Sequence, residues 1–262
     1  MKFAIALVSC LFLMAGAASA AEPANITANV IHDQTQGVLR VNGVPIQRFS
    51  GTPAADSGPL TDAVGIGQWL VEGDNVIEVE ATGSAGKETQ LVIVASPDQP
   101  NLYEGKIQGS GKASYKLTLK DVPQWGWFSA EAWTGDDKDL LAAVAALHAA
   151  YAKGDAKTIV ALYRPFGEDL KPYAGDVMAG AEEGLAEGLK TAKVAPLPAG
   201  LKVARFYGNR LFVVTGPDGA APIQISNGDQ TLEAGHFWIH KTASGRSSGR
   251  SELRPTPLIR CG

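Results

Sequence analysis

Cysteine is almost missing from this chain. Of its 262 residues only Cys10 and Cys261 are cysteines. Cys10 lies in a segment that reads as a removable leader, so the mature chain would keep one thiol and no intramolecular disulfide. The fold must then rest on apolar cores, and each half of the chain is long enough to bury one. Basic residues are outnumbered: 23 Lys and Arg stand against 27 Asp and Glu, a formal net charge of −4. No concentrated basic face is present, which excludes the electrostatics of nucleic-acid binding. After the leader, no apolar run approaches the roughly 20 residues of a transmembrane segment.

The first twenty residues have the pattern of a secretory signal peptide. Lys2 gives the positive start, Phe3 to Met14 is apolar apart from Ser9 and Cys10, and small residues end in Ala18-Ser19-Ala20. That A-x-A ending predicts cleavage before Ala21 and export to the periplasm or the cell exterior. Leu7-Val8-Ser9-Cys10 offers lipidation at Cys10 as the alternative, but it would leave Leu11 to Met14 as an exposed apolar start. Removal of the leader takes Lys2 with it, leaving 22 basic and 27 acidic residues, a net of −5.

The mature chain changes character near residue 130. Residues 22–122 read as strands. Val38 to Ile46 alternates and turns at Asn42-Gly43, a short-range hairpin signal. Val76-Ile77-Glu78-Val79-Glu80 alternates after the polar turn Glu72-Gly73-Asp74-Asn75. Gln90 to Val94 is a β-rich run, and Tyr115 to Lys120 has period two. Short strands with regular turn signals predict an all-β sandwich. Residues 123–136 form an aromatic linker in which Trp125, Trp127, Phe128 and Trp133 either seal a contact between domains or, with Trp125 and Trp127 at the surface, form a contact platform for sugar rings.

From residue 137 the period becomes helical. Leu140, Leu141, Val144, Leu147, His148 and Tyr151 make one stripe. Asp136 or Asp137 can cap its start, and Gly154 suits a left-handed stop. Asp155 can cap a second helix that Pro165 is expected to end. Val177, Met178, Ala181, Leu185 and Leu189 outline a third. Strand-like segments follow at 201–207, 210–215, 222–225 and 232–240. The fold class expected is an all-β sandwich followed by an α+β cone, helices packed on a curved antiparallel sheet, over 137–242. Residues 243–262 carry four Arg and one Glu and no alternating apolar segment. They are expected to be a polar, disordered tail, either native or the product of a reading-frame shift that replaced a closing strand.

Two stretches resemble known families. Asn42-Gly43-Val44-Pro45, followed by Gly67-Gln68-Trp69-Leu70-Val71-Glu72-Gly73-Asp74-Asn75-Val76-Ile77-Glu78-Val79, resembles the jelly-roll accessory modules of secreted enzymes. The resemblance implies carbohydrate binding or a purely packing role. Leu147-His148-Ala149-Ala150-Tyr151-Ala152-Lys153-Gly154-Asp155-Ala156, with Ile159 to Tyr163, resembles the opening of the nuclear transport factor two-like superfamily. There a long helix, a "Y-x-x-G-D" corner and a second helix precede a curved sheet, and His236-Phe237-Trp238-Ile239-His240 would be a late strand. That superfamily includes isomerases, hydratases, ligand binders and non-catalytic modules, so the fold alone leaves function open.

No catalytic constellation emerges. His236 and His240 on one strand would stand about 13 Å apart at roughly 3.3 Å per residue, too far for one ion with bonds of about 2 Å; no metal and no cofactor is expected. Gly245-Arg246-Ser247-Ser248-Gly249 has the letters of a nucleophile elbow without its strand-to-helix context. Gly180, Gly184 and Gly188 lie among Glu182, Glu183 and Glu187, which does not suit a phosphate cradle. If the cone holds a pocket, Tyr151, Tyr163, His148 and Trp238 would line it; otherwise these rings are core. The expected role is non-catalytic binding or assembly, with a small molecule, a carbohydrate or a protein as partner. The rival is an isomerase- or hydratase-type enzyme with its site inside the cone.

Overall fold

A computed structural model describes residues 26–53, 58–95, 100–120, 122, 132–227, 230–235, 237–242 and 251–256. The leader and the Trp125–Trp127 stretch lie outside the described residues. The described chain falls into two compact units, residues 26–122 and 132–256. All of its strand pairings are antiparallel.

The first unit is all strand apart from one 3-10 turn, Gly67–Trp69. Its strands are β1 (Thr27–His32), β2 (Gln36–Val41), β3 (Val44–Phe49), β4 (Leu60–Gly65), β5 (Gly73–Thr82), β6 (Glu88–Val94), β7 (Tyr103–Gln108) and β8 (Gly111–Leu119). They form two four-stranded sheets, in the orders β4-β1-β6-β7 and β3-β2-β5-β8. The period-two pattern explains the burial. Leu39 and Val41 on β2, with Ile77, Val79 and Ala81 on β5, point inward and are buried, while Glu78 and Glu80 face out beside Lys112. The arrangement is sandwich-like, as expected, although β1, β4 and β7 had no clear alternation to announce them.

The expected hairpin is present at Asn42-Gly43. Both residues have positive φ, 51° and 82°, which is what a two-residue turn matched to strand twist requires. Beyond the turn sits the residue that explains the Trp-Leu-x-x-Gly-x-Asn pattern. Asn75 is fully buried. Its Oδ1 accepts the Val71 N–H at 2.7 Å and the Asn42 side-chain amide at 2.9 Å. Its own amide donates to the carbonyls of Val71, Gly73 and Leu117 at 2.8, 3.1 and 3.4 Å. Asn42 Oδ1 in turn accepts the Val76 N–H at 2.9 Å. One side chain thus satisfies a buried turn that the strand ladder cannot reach, and Trp69 and Leu70 fill the core beneath it. The pattern that carried the accessory-module resemblance is architectural in this chain.

The second unit holds three helices, α1 (Asp137–Lys153), α2 (Ala156–Ala174) and α3 (Ala181–Leu189), and strands β9 (Lys193–Val194), β10 (Lys202–Phe206), β11 (Leu211–Thr215), β12 (Ile223–Asn227), β13 (Gln230–Ala234), β14 (Phe237–Thr242) and β15 (Ser251–Thr256). Strand orders are β10-β11-β14-β15 and β13-β12-β9. The expected caps form. Asp136 accepts the Lys138 N–H, and Gly154 stops α1 at φ 68°, ψ 23°. Asp155 accepts from the Thr158 N–H and hydroxyl at 3.0 and 2.7 Å. The Thr158 hydroxyl, and then its backbone N–H, hold the Asp155 carboxyl below its ordinary range.

Three expectations are corrected here. Helix α2 does not end at Pro165 but runs on to Ala174; proline forfeits one ladder bond and strains a turn, and the helix continues through it. Residues 232–240 are not one strand. Gly235, at φ 72°, breaks the segment, so that β13 pairs in one sheet and β14 in the other. The tail is not wholly without structure either. Ser251–Thr256 pairs with β14 in the register Trp238↔Pro255, Ile239↔Arg254, His240↔Leu253. An edge strand tolerates Pro255 because only one of its sides needs to donate, and backbone pairing does not require the apolar alternation whose absence led to the disordered assignment.

Candidate functional site

The apolar stripe of α1 and the first turns of α2 face the strands. Leu140, Val144, Leu147, Ala150, Tyr151, Ile159 and Tyr163 form one core with Phe212, Val214, Ile223, Ile225 and Trp238. Three of the four residues expected to line a pocket, Tyr151, Tyr163 and Trp238, are therefore together, as parts of that core. Trp238 is 1% exposed, and each Tyr 9%. The fourth, His148, is half-buried and donates its Nε2–H to the Ala195 carbonyl at 2.8 Å, tying α1 to the segment after β9. Trp125, Trp127 and His236 lie outside the described residues, and Trp133 packs against the helical core.

The Trp238 indole is engaged within the protein. Trp238 Nε1–H donates to the Gly235 carbonyl at 2.7 Å. The Tyr151 and Tyr163 phenols are near enough to influence each other's titration, and the Gly235 backbone lies beside Tyr163. Gly235 thus serves the Trp238 ring with its own carbonyl. Its φ is positive, and a Cβ there would lie 3.1 Å from Ile223 Cδ1. Sequence reading found the two tyrosines through their helical stripes and Trp238 through its strand, but missed this glycine, because a single Gly within an apolar run reads equally well as a weak strand position.

Burial fixes the protonation state of the pair. Desolvation pushes the Tyr151 hydroxyl up to about 12 and drives Tyr163 upward as well, reinforced by its neighbour. Both phenols are neutral donors and acceptors at ordinary pH. A phenol that holds its proton more tightly when folded contributes stability below its unfolded value of about 10, and that contribution is lost as pH rises toward about 12. Urea unfolding at pH 8 and at pH 11 is therefore expected to show a loss on the order of 2 kcal/mol at the alkaline end. The double variant Tyr151→Phe/Tyr163→Phe should cost about 1–2 kcal/mol at pH 8 and abolish most of that alkaline loss. An unchanged alkaline slope in the double variant would place the titration elsewhere.

Outside this core, at the C-terminal end of α1, lies a half-open cleft of about 400 Å³. Its lining is Tyr151, Ala152, Lys153 and Gly154 from the α1 corner, Ala186, Leu189 and Lys190 from α3 and its end, and Ala192 and Val194 leading into β9. Among the expected pocket residues only Tyr151 reaches it. The signal for it in the sequence was the Tyr-Ala-Lys-Gly-Asp corner, read for its caps and not for the lysine.

A second polar cluster lies in the all-β unit. His32, 1% exposed, donates Nε2–H to Asp62 Oδ2 at 3.1 Å, since a carboxylate can only accept. Gln47 donates to Asp62 Oδ1 at 3.3 Å and to the Arg48 carbonyl at 3.0 Å. Strand β3 belongs to one sheet and β1 and β4 to the other, so Asp62 bonds both sheets. His32 Nδ1 and Gln47 Oε1 are buried without a protein partner. Among the described residues no nucleophile or second acid is bonded to the group, and its geometry is that of a cross-sheet tie.

Among the described residues no cluster of three or more His, Cys, Asp or Glu side chains is placed to hold a metal ion. None of the described helices is long and apolar enough to cross a membrane. Comparison with family models, with curated proteins and with solved structures finds no match to this chain.

Proposed function

We propose that this chain is an exported two-domain protein that works by binding rather than by catalysis. In this reading the sandwich-like unit is a packing module, and the helical unit, a cone of the nuclear transport factor two-like kind, carries the binding surface on its outside. The observation that carries the proposal is the filled interior of the helical unit. Tyr151, Tyr163 and Trp238 occupy the space between helices and strands, where an isomerase- or hydratase-type site would lie, and the Trp238 indole is bonded to the Gly235 carbonyl. The cleft at the α1 corner is lined by Tyr151 but not by Tyr163 or Trp238, and is open to solvent. The helix–Gly154–Asp155–helix corner followed by antiparallel strands supports the superfamily assignment.

The test is a titration of the isotope-labelled mature chain with a panel of small carboxylates, amines and sugars, read as amide and indole shifts. Saturable shifts confined to residues 151–154 and 186–194 are the expected result. Shifts centred on Tyr163 and the Trp238 indole would favour the enzyme with an interior site. Export has its own test. Expression of the full chain in an exporting bacterium is expected to yield a protein whose intact mass begins at Ala21, and recovery from the cytoplasm with Met1 in place, or a lipid on Cys10, would overturn that part.

A further inference from the structure

The cleft at the α1 corner carries a charge pattern that the binding reading leaves unspecified. Its lining includes two lysines, Lys153 and Lys190, and no Asp or Glu. Lys153 occupies the last turn of α1 and makes no ion pair among the described residues. Lys190, just past α3, is held by Glu187 one turn earlier, so its carbon stem is positioned while its ammonium retains donors to spare. The end of α1 would ordinarily present free carbonyls and favour a cation. Here the Gly154 N–H already bonds the Ala150 and Tyr151 carbonyls, and the Asp155 N–H bonds Ala150 again. The other lining residues are Ala152, Gly154, Ala186, Leu189, Ala192, Val194 and Tyr151, and polar atoms make up much of the surface they offer. The volume, about 400 Å³, falls in the range of small-molecule sites.

We propose that this cleft binds a small organic anion, its carboxylate or phosphate between Lys153 and Lys190 and a compact apolar body against Leu189, Val194 and Tyr151. The inference rests on the binding reading above and adds the ligand class to it. The two lysines at the cleft disfavour an amine, although Glu187 offsets part of the Lys190 charge. A neutral sugar leaves Lys153 without a counter-charge, whereas an anion gains two charge-assisted hydrogen bonds. A bare inorganic anion would leave Leu189 and Val194 unused. Because the lysines are solvent-accessible, the electrostatic part of the affinity weakens with salt.

The experiment titrates the labelled mature chain with benzoate, phenyl phosphate, benzylamine, benzyl alcohol and inorganic phosphate. Benzoate or phenyl phosphate is expected to shift the amides of Lys153, Gly154, Leu189 and Ala192 with one saturable constant. That constant should weaken about tenfold in the double variant Lys153→Gln/Lys190→Gln, whose melting temperature should match the parent because both side chains are at the surface. Binding should also weaken between 50 and 500 mM NaCl. If benzylamine or benzyl alcohol binds at these residues as tightly as benzoate, the anion class is wrong while the binding reading stands. Equally tight binding of inorganic phosphate removes the apolar body from the proposal. If no probe moves these amides, or if the lysine variant binds unchanged, the site itself is overturned.

Discussion

Replacing Trp238 by Ala is expected to cost the helical unit about 5 kcal/mol, the top of the range for removing a buried ring. Three losses coincide. The indole fills the junction of α1, α2, β11 and β12, with Phe212, Tyr163 and Ile223 in the same core. Its 2.7 Å bond to the Gly235 carbonyl disappears, leaving a buried acceptor. The turn at Gly235, which carries the chain from one sheet to the other, loses the ring that pins its carbonyl. A unit of this size has total stability on the order of 5–15 kcal/mol, so the variant sits at or near unfolding. Among the described residues all three α-helices belong to this unit, so the helical circular-dichroism band under urea reports on it. Trp238→Phe, which keeps an apolar ring but not the donor, should lose only about 2 kcal/mol. A loss below about 1 kcal/mol in the Ala variant would mean that the interior is not packed around this ring.

Asn75→Ala is the second large effect, expected at about 3–4 kcal/mol and confined to the all-β unit. The substitution leaves the Val71 N–H without its 2.7 Å acceptor and removes the donors to the Val71, Gly73 and Leu117 carbonyls. Asn75 is wholly buried, so water cannot replace what is lost, and each orphaned group costs about 1–3 kcal/mol before relaxation. Asn75→Asp should be as damaging near neutral pH, because a carboxylate there cannot donate to three carbonyls. Asn42→Gly offers a contrast: it keeps the positive φ of the turn without strain, loses fewer bonds, and should cost roughly 1–2 kcal/mol. Differential scanning calorimetry of the mature chain would show the effect as a downward shift of one transition. A neutral Asn75→Ala would contradict the architectural reading of the Trp69–Asn75 pattern and reopen it as a ligand motif.

Local chemistry was legible where a residue type has one conformational use. Asn42-Gly43, Asp136, Gly154 and Asp155 each stand where their side-chain or backbone preferences put them, and the switch from period two to a helical stripe near residue 137 is observed. What escaped the reading was decided by tertiary context. Pro165 breaks helices in isolation, yet α2 runs through it. The segment 232–240 read as one strand, and the left-handed turn at Gly235, bonded to the Trp238 ring, is what divides it. Ser251–Thr256 has no apolar alternation, but β14 offers an edge that its backbone can pair with. The cleft was the least legible of all: Lys153 and Lys190 are 37 positions apart in the numbering, and no local pattern connects the end of α1 with the end of α3.

The central claim is that the interior of the helical unit is a filled, internally hydrogen-bonded core, with binding on its outside. Hydrogen exchange of the Trp238 indole N–H, followed by NMR on the mature chain at neutral pH, tests it most directly. That hydrogen sits on the 2.7 Å bond to Gly235 in a side chain 1% exposed. A packed core requires it to exchange only through global opening of the unit, slowed by a factor on the order of 10³ or more and moving with urea in step with the unfolding free energy. Exchange within minutes, independent of urea, would mean that solvent reaches the ring in the folded state, and the interior would then be a pocket and the claim wrong.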